Sequence, residues 1–259
     1  FNPFHRGHAF LINHAKNVLK ADCVIVAMSG NFVQRGEPAV FDKFERTRMA
    51  LACGADLIFE LPVEFATASA REFASAGVAL LEKTGIVDGL LFGTEGISAP
   101  KALLPAARGL LSEDTAYQEA LREGLRSGAS FPKAREAALR ASGIPEAALL
   151  SSPNNILAAE YLRAILEQGA SLTPCCLPRQ GDGYHADSPS GSPFASATAL
   201  RRMILSGEPA ESLLPYVPES LFPLYESLLS ERNLSATGPD SLSGMLTARL
   251  LSLSAAGAD

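Results

Sequence analysis

The chain has 259 residues, of which 47% are hydrophobic and 19% are charged, and its formal net charge is −6. This length and balance indicate a globular protein with a sizeable core and exclude an intrinsically disordered chain. No apolar run reaches the roughly 18 residues of a membrane span, and no signal-peptide pattern opens the chain. The acidic balance also excludes a protein that is basic throughout, so any contact with nucleic acid needs a local basic face.

The cysteines indicate a reducing compartment. Cys23, Cys53, Cys175 and Cys176 show no C-x-x-C spacing, and an adjacent pair on a strand would point to opposite faces. Free cysteines of this kind are typically small buried residues in intracellular proteins. We therefore expect reduced thiols and a cytoplasmic protein.

Hydrophobic periodicity predicts that helices and strands alternate along the chain. Apolar residues recur at helical spacing from His8 to Leu19, and further helices are predicted over residues 42–53, 69–83, 154–168 and 196–205. Near-continuous apolar runs, typical of buried parallel strands, cover residues 23–28, 56–61, 87–92 and 171–177. Residues 100–150 are predicted to form several helices, broken at Gly128, Pro132 and Gly143. The alternation predicts an α/β fold: a Rossmann-like, doubly wound parallel sheet with a helical insertion.

The two ends of the sequence shape the expected domains. The chain begins at Phe1 inside a motif, although a ligand-binding helix in such folds normally follows a strand. We therefore expect that the first strand of the sheet is missing from this fragment, which would then fold poorly. Beyond Gly207 the sequence is rich in Leu, Ser and Pro. We expect one domain over residues 1–205, followed by the start of a truncated C-terminal helical region over residues 206–259.

The first candidate site is the H-x-G-H element formed by His5, Gly7 and His8 at the start of the first helix. Glycine lets the backbone approach a ligand, a helix N-terminus attracts anions, and each imidazole can donate to a phosphate oxygen. These residues suit a polyphosphate that loses pyrophosphate, with the imidazoles stabilising the developing charge. The alternative is a pair of structural or capping histidines. His14, deeper in the helix, is assigned no catalytic role.

A second candidate site lies near residue 200. Ser196 and Thr198 stand at a predicted helix start, and Arg201 follows one turn later. Hydroxyls and a guanidinium in this arrangement can bind an anion. The alternative is an ordinary capped helix with a solvated arginine. Together with H-x-G-H at the end of the same sheet, the pattern favours phosphate binding.

Weaker candidates lie at the ends of the later strands. Gly93 would allow a nucleotide to approach closely, although a lone glycine is more often a turn. Asn154 and Asn155 start a helix, where they could be caps or could contact an adenine or ribose. Arg179 and His185 lie in a glycine-broken loop, where contact with a triphosphate and simple solvation are equally plausible.

A local basic region follows the first predicted strand. Arg35 lies in the loop over residues 29–37, and Lys43, Arg46 and Arg48 follow it in the next helix. Basic and amide groups beside a sheet edge could contact a polyanionic second substrate. The alternative is a solvated helix face. Arg35, Lys43 and Arg46 are the tentative contacts.

Two carboxylates close to this region suggest no dedicated metal site. Glu60 ends a strand and Glu64 follows it closely. Such a pair could hold a metal or orient a water molecule, but loop carboxylates without such a role are more common. We predict no protein metal site.

These motifs resemble those of the HIGH-type nucleotidylyltransferase superfamily and, within it, the bacterial tRNA(Met) cytidine acetate ligase family. The resemblance covers nearly all of residues 1–205, and the SGNFVQRGEP block is more specific than H-x-G-H. The matching segments are NPFHRGH (2–8), SGNFVQRGEP (29–38), ELP (60–62), FGTE (92–95), SPNNIL (152–157), GYH (183–185) and ASAT (195–198).

The resemblance implies a specific reaction. ATP and acetate would form acetyl-adenylate with loss of pyrophosphate, and the acetyl group would pass to N4 of the wobble cytidine of elongator tRNA(Met), giving N4-acetylcytidine. His5 and His8 would be catalytic, and Mg²⁺ is expected on the phosphates without a dedicated protein cage. The first domain would then be the ATP-binding domain. The implied ATP contacts, with those of the second site, are Phe1, Asn2, Pro3, Phe4, His5, Gly7, His8, Leu11, Gly93, Asn154, Arg179, Ser196, Thr198 and Arg201.

Other functions stay open at this point. A nucleotidylyltransferase that acts on a small phosphorylated cofactor precursor would share the same motifs but keep AMP on its product. A non-catalytic ATP- and tRNA-binding module would bind ATP without forming an adenylate. A class I aminoacyl-tRNA synthetase is disfavoured, since the sequence shows no K-M-S-K-S element.

Overall fold

The computed structural model describes residues 1–179, 194–230 and 236–255, in which helices and parallel strands alternate as predicted. The strands are β1 (Ile25–Ser29), β2 (Leu57–Leu61), β3 (Gly89–Thr94) and β4 (Thr173–Pro178). The helices are α1 (Arg6–Asn17), α2 (Lys43–Ala52), α3 (Val63–Ala66), α4 (Ala70–Glu82), α5 (Leu104–Ser112), α6 (Thr115–Arg126), α7 (Phe131–Ala141), α8 (Pro153–Gln168), α9 (Ala197–Leu205), α10 (Phe222–Ser230) and α11 (Ser243–Ala255).

The strands form two parallel pairs. β1 pairs with β2, in register from Ile25 with Leu57 onwards, and β3 pairs with β4, in register from Gly89 with Thr173 onwards. Among the described residues, no hydrogen-bonded ladder joins the two pairs. The predicted α/β class with parallel strands is confirmed, but the single continuous sheet is not observed.

Helices cover both faces of the first pair. Side chains alternate along a strand, so successive residues of β1 point to opposite sides. Ile25 and Ala27 pack with the cluster formed between α4 and α8, whereas Val26 packs with the cluster that contains residues of α1 and α2. This two-sided burial explains the near-continuous apolar run that predicted a buried strand.

The C-terminal residues share a core with the start of the chain. One apolar cluster joins Phe4 and Leu200 to Leu213, Val217 and Tyr225, all of which are buried. Packing therefore continues across residue 205, where the sequence predicts a domain boundary.

The helical insertion has its own core. Residues of α5, α6 and α7 pack with β3 and α8 in a second cluster that includes Phe92 and Leu162. The predicted breaks occur where expected: Gly128 and Gly143 adopt positive φ angles after α6 and α7, and Pro132 occupies the first turn of α7, where its missing N–H costs nothing.

Most element boundaries agree with the sequence to within about two residues. The caps explain this agreement, because Asp42, Ser69, Ser152 and Ser196 each accept a backbone N–H at a helix start. The short helix α3, directly after Pro62, is not predicted from the sequence. In the part of the chain that the structure describes, no helix has the length and apolar character needed to cross a membrane.

Candidate functional site

The two histidines of the H-x-G-H element lie together at the start of α1. His5 is the N-cap, and its Nδ1 accepts from the backbone N–H of Gly7 at 3.0 Å. The Nδ1 of His8 accepts from the backbone N–H of His5 at 3.2 Å, and the centroids of the two rings are 3.8 Å apart. The structure therefore brings both imidazoles to one place, each oriented by a backbone hydrogen bond.

Both imidazoles are neutral donors at physiological pH. Burial and then the Arg179 charge lower the pKa of His5 to about 3, and burial together with His5 holds the pKa of His8 well below its usual range. A neutral imidazole carries one N–H, and Nδ1 is an acceptor in both rings. The proton must therefore be on Nε2, so that each ring offers one N–H to a ligand without carrying a charge.

Aromatic rings support this pair. The Phe1 ring centroid lies 4.4 Å from that of His8, and the Phe4 ring centroid lies 5.5 Å from it. Phe4 itself is fully buried in the core. The Asn2 side chain accepts from the backbone N–H of Val40 at 2.8 Å. These predicted contact residues thus also have a structural role, which is to hold the turn that carries the histidines.

The second predicted constellation reaches the first. The Ser196 hydroxyl is buried and accepts from the backbone N–H of Ala199 at 3.0 Å, as an ordinary N-cap does. The Arg201 guanidinium donates to the Thr198 hydroxyl at 3.2 Å and, through Nη1, to the backbone carbonyl of Asn2 at 2.8 Å. Arg201 is therefore anchored at the H-x-G-H turn and is not simply a solvated arginine.

The ends of β3 and β4 border the same site. The backbone N–H of Arg179 donates to the Thr94 carbonyl at 2.8 Å, and a Cβ placed on Gly93 would lie 3.6 Å from Arg179 Cγ. After burial, the positive charges of Arg179 and Arg201 both contribute to lowering the pKa of His5, so both side chains lie close enough to act on this histidine. His185 lies outside the described residues.

The adjacent asparagines at the start of α8 have different roles. Asn155 is buried, and its amide bonds both the N–H and the carbonyl of Glu95, at 2.8 and 3.0 Å. Asn154 is half-buried, and its Nδ2 donates to the Glu95 carboxylate at 2.6 Å. Asn155 therefore belongs to the scaffold, whereas the Asn154 side chain keeps some exposed surface.

Arg46 is buried, contrary to the prediction that it contacts a polyanionic second substrate, which the resemblance implies to be tRNA. Its guanidinium donates to the carbonyls of Phe41 and Phe1 at 3.1 Å and of Ser29 at 2.9 Å, and also to that of Gly30. The side chain has no exposed surface. A guanidinium committed to carbonyls in the interior cannot contact a polyanion, so Arg46 instead ties the H-x-G-H turn to the end of β1.

Of the other two residues predicted to contact the polyanionic substrate, Lys43 is more accessible than Arg46, and the side chain of Arg35 is not described. Lys43 pairs with Glu60 at 2.6 Å, and both side chains are partly exposed. Glu60 is therefore the partner of a lysine. The side chain of Arg35 lies outside the described part of the chain. Across the residues that the structure describes, no group of three or more His, Cys, Asp or Glu could hold a metal.

Two residues at the site are missed by sequence reasoning. Arg6, the variable position of H-x-G-H, donates from Nε to the Val217 carbonyl at 3.1 Å, and its backbone N–H donates to the Tyr216 carbonyl at 2.9 Å. The Tyr225 hydroxyl, fully buried, donates to the Phe4 carbonyl. No local pattern identifies either contact, because each joins residues more than 200 positions apart.

Curated proteins of similar sequence share one name. A tRNA(Met) cytidine acetate ligase of Thermoanaerobacter sp. (strain X514) is 41% identical over 244 residues, which make up 93% of this chain and 59% of that relative. The protein of the same name from Syntrophomonas wolfei subsp. wolfei (strain DSM 2245B / Goettingen) is 41% identical over an alignment of 262 positions, which covers 97% of this chain and 61% of that relative. The chain thus spans roughly three fifths of these curated relatives.

A solved structure and a family model extend the likeness to the fold. The crystal structure of Thermotoga maritima TmcAL bound with alpha-thio ATP matches with a TM-score of 0.78 and 37% sequence identity, covering 89% of this chain and 54% of that chain. The model described as HIGH Nucleotidyl Transferase matches residues 1–257. With its histidine pair at the start of α1 and a match over nearly its whole length, this chain belongs to the HIGH nucleotidyl transferase family.

Proposed function

We propose that the protein to which this chain belongs is an ATP-dependent acetate ligase that acetylates N4 of the wobble cytidine of elongator tRNA(Met). The observation that carries the proposal is the pair of neutral imidazoles at the start of α1, each with its Nε2–H left for a ligand and with the charges of Arg179 and Arg201 close to His5. The relatives named tRNA(Met) cytidine acetate ligase and the similar structure bound with alpha-thio ATP support it.

The first step is the formation of acetyl-adenylate. An acetate oxygen attacks the α-phosphorus of ATP, and the bond from that phosphorus to the bridging oxygen of the β-phosphate breaks. Pyrophosphate leaves with the electron pair, while negative charge develops on the phosphoryl oxygens. The Nε2–H groups of His5 and His8 donate to these oxygens, and Arg179 and Arg201 balance the charge. Because the imidazoles are already oriented by backbone bonds, little reorganisation is needed.

The second step transfers the acetyl group. The N4 amine of the cytidine attacks the acyl carbon, AMP leaves with the electron pair of the acyl–oxygen bond, and the amine loses one proton. An anticodon loop can present its base unstacked, as this attack requires. Lys43, whose side chain is partly exposed, and Arg35 are proposed tRNA contacts, and we place the reaction in the cytoplasm.

The proposed nucleotide contacts are those that the resemblance implies. Gly93 leaves room for close approach, Asn154 offers an amide on the nucleoside side, and Ser196 with Thr198 supports Arg201. The turn over residues 1–8 and Leu11 of α1 complete the proposed ATP site. Magnesium would be held mainly by the phosphate oxygens, since the described residues contain no protein cluster for it.

The test is mass spectrometry of tRNA from cells that lack the full-length protein. N4-acetylcytidine in elongator tRNA(Met) should be absent and should return when the wild-type gene is restored. A gene that encodes His8→Ala should fail to restore it. Unchanged N4-acetylcytidine in the deletion strain would reject the proposal.

A biochemical assay separates the remaining alternatives. ATP–pyrophosphate exchange by the full-length protein should require acetate, and AMP should be released only when tRNA is added. Exchange that instead requires a small phosphorylated precursor would indicate a cofactor nucleotidylyltransferase. ATP binding without any exchange would indicate a non-catalytic module.

A further inference from the structure

Glu95 is held by its backbone immediately after β3. The amide of the buried Asn155 accepts from the Glu95 N–H at 2.8 Å and donates to the Glu95 carbonyl at 3.0 Å. These two bonds use only backbone atoms of Glu95. The position of this residue therefore does not depend on its own side chain, which is free to serve another purpose.

The Glu95 side chain orients Asn154. Its Oε1 accepts from Asn154 Nδ2 at 2.6 Å. An ionised carboxylate can only accept hydrogen bonds, so the NH2 group of Asn154 must face it. Asn154 Oδ1 then points away from Glu95, and within the described ranges it has no hydrogen-bond partner.

We propose that Glu95 is a positioning residue that locks the Asn154 amide with its carbonyl oxygen towards the nucleotide, so that the site selects a hydrogen-bond donor of the nucleoside. The proposal rests on the proposed function, in which Asn154 contacts ATP. A fixed acceptor accepts adenine N6–H or a ribose hydroxyl and disfavours a nucleotide that presents another acceptor at that point.

The location supports a contact with the nucleoside rather than with the phosphates. Glu95 lies two residues beyond Gly93, where Arg179 crosses the end of β3. Phosphate groups are expected beside the guanidinium groups and the histidine pair, and a carboxylate among them would repel them. Glu95 is therefore suited to a place behind Asn154, on the side of the base and ribose.

The test compares nucleotide selectivity in Glu95→Gln with that in the wild-type protein. A glutamine can donate as well as accept, so the Asn154 amide is free to turn over and the preference for a donor is lost. Dissociation constants are measured for ATP, inosine triphosphate (which lacks the N6 amine) and 2′- and 3′-deoxy-ATP. The analogue that lacks the recognised donor should bind the wild-type protein more weakly than ATP does. In Glu95→Gln we expect the ratio of its dissociation constant to that of ATP to fall about tenfold, which corresponds to the free energy of about one hydrogen bond.

The double variant distinguishes positioning from direct contact. If Glu95 acts through Asn154, then Asn154→Ala and Glu95→Gln/Asn154→Ala should show the same reduced discrimination. Additive losses would mean that Glu95 touches the ligand itself and would overturn the proposal. Glu64→Gln, an exposed glutamate after β2, is the matched control and should leave all the ratios unchanged.

Failure of this proposal differs from failure of the proposed function. If the wild-type protein binds ATP and Glu95→Gln keeps full discrimination against every analogue, only the positioning role is refuted. Absence of ATP binding by the wild-type protein would refute the proposed function as well. Glu95→Ala is a second variant that also keeps the backbone bonds to Asn155, so loss of folding in one variant leaves the other decisive.

Discussion

Arg201 Nη1 donates to the backbone carbonyl of Asn2 at 2.8 Å, joining α9 to the turn that carries both histidines. This bond places a positive charge beside two neutral imidazoles. Burial is the main reason why the pKa of His5 is low, and the Arg201 charge lowers it further. The relationship explains how two motifs almost 200 residues apart can act on one ligand.

Replacing Arg201 should impair catalysis more than folding. In Arg201→Ala we expect acetate-dependent ATP–pyrophosphate exchange to fall by about 10²–10³-fold, because a preorganised charged donor is lost. Arg201→Lys should recover only part of the rate, since an ammonium group cannot bond Asn2 and Thr198 in the same planar geometry. Arg108→Ala, which removes an exposed arginine of α5, is the control. Equal exchange rates for Arg201→Ala and the control would refute the role of Arg201.

His8→Ala should reduce exchange by a similar factor of about 10²–10³. The variant loses the Nε2–H donor and also the bond to the backbone N–H of His5, which should cost about 1 kcal/mol of stability. His14→Ala, six positions further along α1, should keep normal exchange. Exchange rates measured together with the midpoints of thermal unfolding separate the loss of catalysis from the loss of stability. If the His8→Ala protein is folded and catalyses exchange at the wild-type rate, this histidine has no role in the mechanism.

The buried neutral His5 predicts a particular loss of stability in acid. Its pKa is about 3 in the folded protein, lowered first by burial, and about 6.5 in the unfolded chain. Between these values the unfolded chain binds a proton that the folded protein excludes, so the free energy of unfolding falls as the pH drops from about 6.5 towards about 3. His5→Asn, which can still cap α1, should show a shallower fall. Urea unfolding between pH 7 and pH 4 measures the free energy of unfolding of both proteins. If this free energy depends on pH in the same way in the wild type and in His5→Asn, the buried neutral state of His5 is contradicted.

Tyr225→Phe tests the link between the C-terminal residues and the histidine turn. It removes the hydroxyl that donates to the buried Phe4 carbonyl, so the free energy of unfolding should decrease by about 1–3 kcal/mol. Exchange should also slow, because Phe4 adjoins His5. Tyr216→Phe is the control, since the hydrogen bond between Tyr216 and Arg6 uses the Tyr216 backbone carbonyl and not its hydroxyl. Equal stability and activity of the two variants would show that the Tyr225 hydroxyl has no role.

Arg46 should be essential for stability and irrelevant for tRNA affinity. Arg46→Ala leaves four buried or partly buried carbonyls without their donor, and we expect a loss of roughly 3 kcal/mol or more. Arg48→Ala, at an exposed position of the same helix that pairs with Glu45, should change stability by less than about 1 kcal/mol. Denaturant unfolding measures both changes. A folded Arg46→Ala protein with wild-type stability but weakened tRNA binding would restore the surface role that its burial contradicts.

Local signals made much of this molecule predictable. The helix starts at Asp42, Ser69, Ser152 and Ser196 follow from capping chemistry, and the strands follow from short apolar runs. The histidine pair was predictable because all of its orienting bonds lie within four residues. The position of the motifs at the ends of strands was also predictable, because it follows from the alternation of helices and strands along the chain.

The remaining features depend on contacts between distant residues. Arg46 lies among other basic residues of α2 and looks like part of a solvated face, but the carbonyls of Phe1 and Ser29 enclose it. The bond of Arg6 to Val217 joins two ends of the chain that no periodicity relates. Likewise, the different hydrogen bonds of Asn154 and Asn155 to Glu95 join residues about 60 positions apart, and only the three-dimensional structure shows them.

The most direct test of this account is a crystal structure of the protein with bound alpha-thio ATP. We predict that the triphosphate lies within hydrogen-bonding distance of Nε2 of both His5 and His8, with Arg179 and Arg201 on its other side. A nucleotide bound elsewhere, with its phosphates beyond the reach of both imidazoles, would contradict the account.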